Sequence, residues 1–244
     1  MTADFSLSYC PVSPFLQLDE LTQRERSLLS AKTSPKRMAD FVAGRKAVKE
    51  ALRSFLTLEN TGNLSVLREE EGEEAGKPYV FLHDTATRSD VHVSITHADQ
   101  QAYATASHMR IGIDNVTIEA YSSAFIEDVF RDGELAGWMN WLGVHPRHSL
   151  AICTGFAAKE AFLKWLGTGL RLSLSQIQIT PVKQIRELDS HHSPNRSLEA
   201  ICSVYDDHGM NAEAKQSFIL KGLYEQKDGQ VIFVLVGNEE HTGN

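Results

Sequence analysis

Two segments of the chain, 110 positions apart, share one short pattern. The pattern is Lys-Glu-Ala followed four residues later by an aromatic residue and a leucine, at 49–56 and again at 159–166. Each copy lies in a helical hydrophobic pattern that is followed by strand-like runs. Internal similarity of this kind predicts two related halves around one core, with a ligand in the cleft between them. So short a match also arises by chance.

The helix and strand patterns occur in a similar order in both parts of the chain. Helical spacing of apolar residues covers most of 19–56, segments near 121–142, and 156–166. Strand-like runs lie at 91–95, 102–107, 110–118, 176–180, 198–204, 216–221 and 231–236. At 244 residues the chain is long enough for one large domain or two compact halves.

Composition excludes several classes of protein. The formal net charge is -8, which disfavours a nonspecific nucleic-acid binder that neutralises phosphates. Residues 1–18 lack a basic start followed by an apolar run, and no stretch approaches the roughly 20 apolar residues of a membrane span. We therefore expect a cytoplasmic protein with no membrane or nucleic-acid partner. The three cysteines lack C-x-x-C spacing, which argues against a disulfide framework and a zinc site.

Charge is distributed unevenly along the chain. Residues 31–56 contain seven cations and two anions, whereas five glutamates crowd 69–74. A basic patch on an acidic protein predicts a small anionic ligand or one acidic partner face. A solvated helix face is the alternative.

A carboxylate stands in the apolar strand pattern of residues 110–116. Asp114 directly follows Gly112 and Ile113. Burial of an unpaired carboxylate is costly, and a hard cation such as Mg²⁺, which prefers oxygen ligands, would remove that cost. Taken alone, the pattern favours an ordinary strand-end residue at Asp114 over a metal ligand.

The helical segment 156–166 places Phe156, Glu160 and Lys164 along one ridge. Glu160 and Lys164 could act together on a ligand. An i, i+4 pair of this kind is also the commonest surface salt bridge, worth only about 0.2–0.5 kcal/mol.

A third group of polar residues surrounds the strand at 91–95. Ser94, Thr96 and His97 alternate with apolar residues, and Lys77 stands in a turn-like Gly-Lys-Pro. Their hydroxyl, imidazole and ammonium donors would suit phosphate groups, although solvated side chains have the same composition.

Four motifs together resemble the 4'-phosphopantetheinyl transferases of the surfactin-synthetase-activating type. In order along the chain they are Gly-Lys-Pro at 76–78, Ser-x-Thr-His-Ala at 94–98, Gly-Ile-Asp at 112–114 and Lys-Glu-Ala-x-x-Lys at 159–164. The resemblance extends upstream to Phe-Val-Ala-Gly-Arg at 41–45 and downstream to Gly-Thr-Gly-Leu at 167–170. It covers roughly residues 21–179, most of the chain.

The resemblance implies an activity, a fold and partners. The activity is transfer of 4'-phosphopantetheine from coenzyme A to a serine of an apo acyl or peptidyl carrier protein, releasing adenosine 3',5'-bisphosphate. The fold is α+β, with two similar halves related by a pseudo-twofold axis and the coenzyme A and Mg²⁺ site between them. We place these halves at 1–112 and 113–244 and expect a monomer.

Roles carried over from the family fall on matching positions. Asp114 and Glu160 would hold Mg²⁺, with Mn²⁺ a possible substitute, against the coenzyme A pyrophosphate, and Lys164 would contact that pyrophosphate. Glu160 would accept the proton of the carrier serine. The adenosine end would be bound by Arg45, Lys77, Ser94, Thr96 and His97.

One departure from the family bears on the metal. Many relatives have a second carboxylate two residues after the first aspartate, where this chain has Val116. We therefore expect two protein carboxylates at the metal. The departure keeps open a rival function, a coenzyme A-binding module without transferase activity. A second rival is a Mg²⁺-dependent phosphohydrolase that uses the same acidic pair.

Overall fold

Two antiparallel sheets, each of five strands and each accompanied by one long helix, form the described part of the chain. The structure is a computed structural model that describes residues 4–13, 18–144, 149–185, 196–205 and 214–238. Among these residues, no helix combines the length and the apolar character that crossing a membrane requires.

The first half contains five strands and two α-helices. Its elements are β1 (Ser6–Pro11), a 3-10 turn (Leu18–Glu20), α1 (Gln23–Ser27), α2 (Pro35–Leu56), β2 (Leu64–Arg68), β3 (Pro78–Leu82), β4 (Thr87–Ala98) and β5 (Gln101–Ser107).

The second half begins with β6 at Arg110. Its elements are β6 (Arg110–Thr117), α3 (Ser123–Val129), α4 (Glu134–Leu142), α5 (Ser149–Leu166), 3-10 turns at Gly169–Arg171 and Leu174–Gln176, β7 (Ile177–Ile185), β8 (Arg196–Tyr205), β9 (Ala214–Lys227) and β10 (Gln230–Gly237).

Both sheets have the same topology. The strand order is β1-β5-β4-β3-β2 in the first and β6-β10-β9-β8-β7 in the second, and the long helix follows the first strand in each half. The α+β class and the similarity of the two halves are therefore confirmed. The division between residues 112 and 113 stays a prediction, and β6 as a whole belongs to the second sheet.

Several predicted elements differ in extent from the structure. The helical region 19–56 is divided, because a new helix, α2, begins at Pro35. Ser34 caps this helix by accepting a hydrogen bond from the Arg37 N–H. The helix predicted at 156–166 begins seven residues earlier, at Ser149. Strands β1, β2 and β3 were not predicted.

An apolar cluster and a polar seam join the two halves. Tyr103 of β5 packs with Ile111 and Ile113 of β6 and with three residues of β10. On the neighbouring strand β4, the Ser94 hydroxyl accepts a hydrogen bond from the Ile113 N–H at 3.2 Å. Each half also has its own core beneath its long helix, so β4 and β6 are held in register between two packed cores.

A buried ion pair organises the second half. Lys159 on α5 is fully buried and its Nζ lies 2.7 Å from Glu134 Oε2. The same ammonium donates to the carbonyl oxygens of Val129 and Ile177, each at 2.6 Å. Glu134 in turn accepts a hydrogen bond from the Ile179 N–H at 2.9 Å. One lysine thus connects α3, α4, α5 and β7.

The first half contains the equivalent ion pair. Lys49 on α2, 110 positions before Lys159, lies 2.7 Å from the fully buried Glu25. Glu25 accepts from the Val66 N–H on β2 and from the Thr22 N–H, both at 2.8 Å. Because β2 and β7 occupy equivalent places in the two sheets, the repeated lysine has the same structural role in both halves.

Most cations of the basic segment 31–56 are exposed, and Arg45 alone is buried. Lys46, Lys49 and Arg53 form ion pairs with glutamates of the same half. Arg45 points into a cavity described below. All three cysteines are buried and free.

Removing the cation of the second buried pair should destabilise the protein. Lys159→Met should lower the free energy of unfolding by about 3–5 kcal/mol, because Glu134 keeps a buried carboxylate without its partner. Urea unfolding measures the change. The double variant Lys159→Met/Glu134→Gln, which has no buried charge there, should recover most of the loss. A double variant as unstable as the single one would contradict this role of the ion pair.

Candidate functional site

Strand β6 approaches α5 very closely at Gly112. A Cβ atom at this position would lie 1.9 Å from the Ala161 carbonyl oxygen and 2.7 Å from the Trp165 nitrogen. Only glycine fits there. The contact brings β6 onto the turn of α5 that carries Glu160, and Asp114 lies two residues further along the strand.

Asp114 is buried and has two side-chain partners. Its Oδ1 accepts a hydrogen bond from the Thr96 hydroxyl at 2.8 Å and lies 2.8 Å from Lys164 Nζ. The Lys164 ammonium also donates to the Ile113 carbonyl oxygen at 2.9 Å. The Thr96 hydroxyl lies 2.9 Å from Asn115 Oδ1 as well, so β4 positions both side chains at the seam.

Glu160 has a different environment. Within the described residues its half-buried carboxylate forms no hydrogen bond and no ion pair within 4 Å. Burial raises the pKa of Glu160, and the negative charge of Asp114 raises it further, whereas Lys164 opposes the shift. The charges of Asp114 and Lys164 therefore both act on Glu160, although of the two carboxylates the Lys164 ammonium contacts only that of Asp114.

This pair of carboxylates fits a hard divalent cation. Both ligands are oxygen donors, and a carboxylate whose pKa is raised by a like charge gains most from a cation beside it. Val116, at the position of the missing acid, is buried in the apolar core of the second half. Within the described residues no group of three or more histidine, cysteine, aspartate or glutamate side chains converges as a metal site. The two-carboxylate site stays a prediction.

A cationic cavity of about 400 Å³ adjoins Lys164. Its lining residues come from both halves and are Phe41, Arg45, Arg68, Ala75, Gly76, Lys77, Pro78, Val93, Ser94, Ile95, His97, Lys164, Gly167 and Gly169. A larger groove of about 630 Å³ lies near β1 and the end of α2, and no lysine or arginine is among its described lining residues. The smaller cavity is therefore the better place for an anion.

Arg45 is the most buried cation of this cavity. Its guanidinium lies 3.5 Å from the centre of the Phe41 ring. Its Nε is buried and has no hydrogen-bond partner among the described residues. Burial lowers the pKa of Arg45 to about 10, so the side chain remains charged at neutral pH. A buried donor without a partner is costly and marks a place for an acceptor on a ligand.

His97 lies against α2 at the edge of the cavity. Its Nε2 donates to the Asp40 carbonyl oxygen at 2.8 Å, and the ring rests on Gly44, where a Cβ atom would lie 3.0 Å from Nε2. Burial of this ring face lowers the pKa of His97, and the Lys164 and Arg45 charges add to the shift. The imidazole is therefore mainly neutral at pH 7 before an anion binds.

The structure brings most of the predicted site residues together. Five of them line the cavity: Arg45, Lys77, Ser94, His97 and Lys164. Thr96, Asp114 and Glu160 are not among the lining residues. Thr96 and Lys164 each contact Asp114, so the acidic pair lies beside the cavity. The roles assigned to these eight residues stay predictions.

Phe41 and Arg68 line the cavity, although neither was predicted as a site residue. Phe41 lies one helical turn before Arg45 on α2, a spacing that would have indicated a shared face. Arg68 ends β2 just before the acidic stretch, and nothing in its local sequence distinguishes it from a surface arginine. Its position follows only from the pairing of β2 with β3, which carries the Gly-Lys-Pro turn to the cavity.

The comparisons with known proteins point to one superfamily. The profile of the 4'-phosphopantetheinyl transferase superfamily matches residues 110–210. The holo-[acyl-carrier-protein] synthase of Shouchella clausii is 38% identical over 88 residues, 34% of this chain and 70% of that protein. That of Bacillus cytotoxicus is 39% identical over 85 residues, 34% of this chain and 68% of that protein.

Two solved holo-acyl-carrier-protein synthases resemble part of the chain. The Plasmodium yoelii structure has a TM-score of 0.34 and 17% identity, and the match covers 43% of this chain and 93% of that one. The Thermotoga maritima structure has a TM-score of 0.35 and 22% identity, and the match covers 54% of this chain and 64% of that one.

The fold and site define an α+β enzyme with an acidic pair beside a cationic cavity. The sequence relatives identify it further, since more than two thirds of each curated relative is matched at over 30% identity. The chain belongs to the 4'-phosphopantetheinyl transferase superfamily and is a phosphopantetheinyl transferase. The narrower surfactin-synthetase-activating type stays a prediction.

Replacing Gly112 should disturb the approach of β6 to α5. Gly112→Ala should lower the free energy of unfolding by about 3 kcal/mol or more, because the new Cβ overlaps the backbone of α5. Gly137→Ala is the matched control, since its Cβ would meet only Pro181 Cδ at 4.0 Å. Chemical denaturation of both variants measures the difference. Equal stabilities would contradict the close contact at Gly112.

Proposed function

We propose that this enzyme transfers the 4'-phosphopantetheine group of coenzyme A to a serine of an apo acyl or peptidyl carrier protein. The reaction is Mg²⁺-dependent, releases adenosine 3',5'-bisphosphate and converts the carrier from its apo to its holo form. The observation that carries the proposal is the cationic cavity beside the Asp114 and Glu160 pair, joined to it by Lys164.

Coenzyme A matches this arrangement in its charge. Its phosphates lie at the adenosine end and in the pyrophosphate, and its pantetheine arm is uncharged. Arg45, Lys77 and His97 would bind the phosphates of the adenosine end, with Arg68 near them. The cavity volume of about 400 Å³ lies within the roughly 300–1,000 Å³ of small-ligand sites.

Ser94 and Thr96 connect the cavity to the acidic pair. Both hydroxyls already contact β6, Ser94 through the Ile113 N–H and Thr96 through the Asp114 carboxylate. A ligand in the cavity would therefore lie against a strand whose position is fixed by its own hydrogen bonds. The two hydroxyls would thus keep the site in the shape that coenzyme A binding requires. Ser94 also lines the cavity.

The transfer itself is a displacement at phosphorus. The carrier serine oxygen forms a bond to the phosphorus that carries pantetheine, and the bond from that phosphorus to the oxygen bridging it to the adenosine-side phosphate breaks. Adenosine 3',5'-bisphosphate leaves with the bond's electron pair. Glu160 takes the serine proton directly or through a water.

Asp114 and Glu160 would hold Mg²⁺, or Mn²⁺ in its place. When bound, the ion supplies charge neutralisation at the pyrophosphate as the leaving phosphate gains charge. Lys164 contributes a second positive charge on the same side and would exchange its contact with Asp114 for one with the pyrophosphate.

The carrier partner must approach an enzyme whose formal net charge is -8. Carrier proteins of this type of reaction are acidic, so docking has to rely on a local basic or apolar surface rather than on overall charge. Exposed cations at the start of α2, Lys36 and Arg37, are close in sequence to cavity residue Phe41 and provide such a surface. We expect the enzyme to act as a monomer, because both halves belong to one chain.

A transfer assay tests the proposed function. Purified enzyme is incubated with coenzyme A, Mg²⁺ and a panel of apo carrier proteins, and each carrier is weighed by mass spectrometry. A mass gain of one phosphopantetheine supports the proposal. Coenzyme A binding without any mass gain would favour a binding module, and coenzyme A breakdown without a carrier would favour a phosphohydrolase.

Removing either carboxylate should abolish transfer. Asp114→Ala and Glu160→Ala should each lower the rate by about a hundredfold or more, because each removes a metal ligand and the second also removes the proton acceptor. Glu50→Ala is the matched control, since Glu50 occupies the equivalent position of the first half and pairs with Arg53 at the surface. Near-normal rates in either site variant, with native circular dichroism, would contradict the proposed site.

A further inference from the structure

A glutamate of the acidic stretch contacts Lys77, one of the cations of the cavity. Glu74 Oε1 forms an ion pair with Lys77 Nζ and lies 3.3 Å from Arg110 Nη2. Gly167 of the cavity lining lies against both side chains. A Cβ atom added to it would be 3.0 Å from Glu74 Oε1 and 3.2 Å from Lys77 Nζ. Burial alone would raise the pKa of Glu74, but the Lys77 hydrogen bond and the nearby cations lower it on balance. Glu74 is thus an anion at neutral pH.

The loop that carries Glu74 is held on both sides. Its two ends are joined by backbone hydrogen bonds from the Glu69 N–H to the Lys77 carbonyl oxygen and from the Gly76 N–H to the Glu69 carbonyl oxygen. Its tip is tied to the second half, because Arg171 donates to the Gly72 carbonyl oxygen at 2.6 Å. Gly72 and Gly76 have positive φ, which glycine adopts without strain. These hydrogen bonds therefore fix the position of Glu74 in the fold.

The ion pair with Glu74 occupies Lys77, one of the cations proposed to bind a ligand phosphate. The Lys77 side chain is only 9% exposed, and its ammonium is already paired with a carboxylate. A ligand phosphate at Lys77 must either replace Glu74 or lie beside a like charge, and both cost free energy. Among the described residues no other carboxylate forms an ion pair with a cation of the cavity except Asp114 with Lys164.

We propose that Glu74 is an internal competitor of the ligand phosphate, which lowers the affinity of the cavity for the adenosine bisphosphate moiety and returns to Lys77 when the product leaves. This inference rests on the proposed function, because it takes the cavity as the site of that moiety. Glu74 thereby adjusts how tightly substrate and product are held, without touching the reacting atoms.

A binding experiment tests the competition without any turnover. Calorimetry at low salt measures the Kd of adenosine 3',5'-bisphosphate for the wild type and for Glu74→Gln, without metal or carrier. Loss of the competing charge at a partly exposed ion pair should lower Kd about threefold to tenfold. The difference between the two proteins should shrink as salt is added, since screening weakens the contact.

Glu71→Gln is the matched control. It removes the same charge from the same loop, and Glu71 is exposed and contacts neither Lys77 nor Arg110. Its Kd should equal that of the wild type. Thermal melting of both variants checks that the loop change leaves the fold intact.

Three results would overturn the inference. An unchanged or raised Kd in Glu74→Gln would show that Glu74 positions Lys77 rather than competing for it. Equal tightening in Glu71→Gln would assign the effect to the general charge of the loop. Failure of the wild type and both variants to bind the bisphosphate would contradict the proposed function itself and the inference with it, whereas the first two results leave that function standing.

Discussion

The approach of β6 to α5 at Gly112 is the constraint on which the site depends. The strand backbone lies so close to the Ala161 carbonyl oxygen that no side chain fits between them. This contact sets the distance between a strand carrying Asp114 and a helix carrying Glu160 and Lys164. The Ile113 N–H donates to Ser94 and the Thr96 hydroxyl donates to Asp114, and these two hydrogen bonds fix the same strand against the first half. The acidic pair and the cavity are thus assembled by one strand.

The repeated ion pair distinguishes the residues that stabilise both halves from those whose surroundings differ between the halves. Lys49 and Lys159 each pair with a buried glutamate that also accepts a hydrogen bond from the strand after the long helix. The next residue of the pattern is a glutamate in both halves, but its surroundings differ. Glu50 is exposed and pairs with Arg53, whereas Glu160 is half-buried and senses the charge of Asp114. Of these two equivalent glutamates, only Glu160 therefore has the surroundings of the proposed site.

The motifs could be recognised from the sequence, but the contacts between them could not be predicted from it. Strands at Asp114 and His97 and the helix at Glu160 were predicted, because their hydrophobic periodicity is strong over several residues. β2 was missed since it is a short apolar segment buried on both faces, which lacks alternation. The start of α5 was missed because Cys153, Thr154 and Gly155, just before Phe156, carry little periodic signal. Arg68 and Glu74 meet the cavity through strand pairing and a loop, and local sequence does not encode such long-range placement.

The most direct test of the account locates the metal and the ligand together. Crystals grown with Mn²⁺ and coenzyme A would give an anomalous peak for the ion. The account predicts one peak shared by Asp114 and Glu160, with the adenosine phosphates of coenzyme A among Arg45, Lys77 and His97. A Mn²⁺ peak away from this acidic pair, or coenzyme A bound outside the cationic cavity, would contradict it.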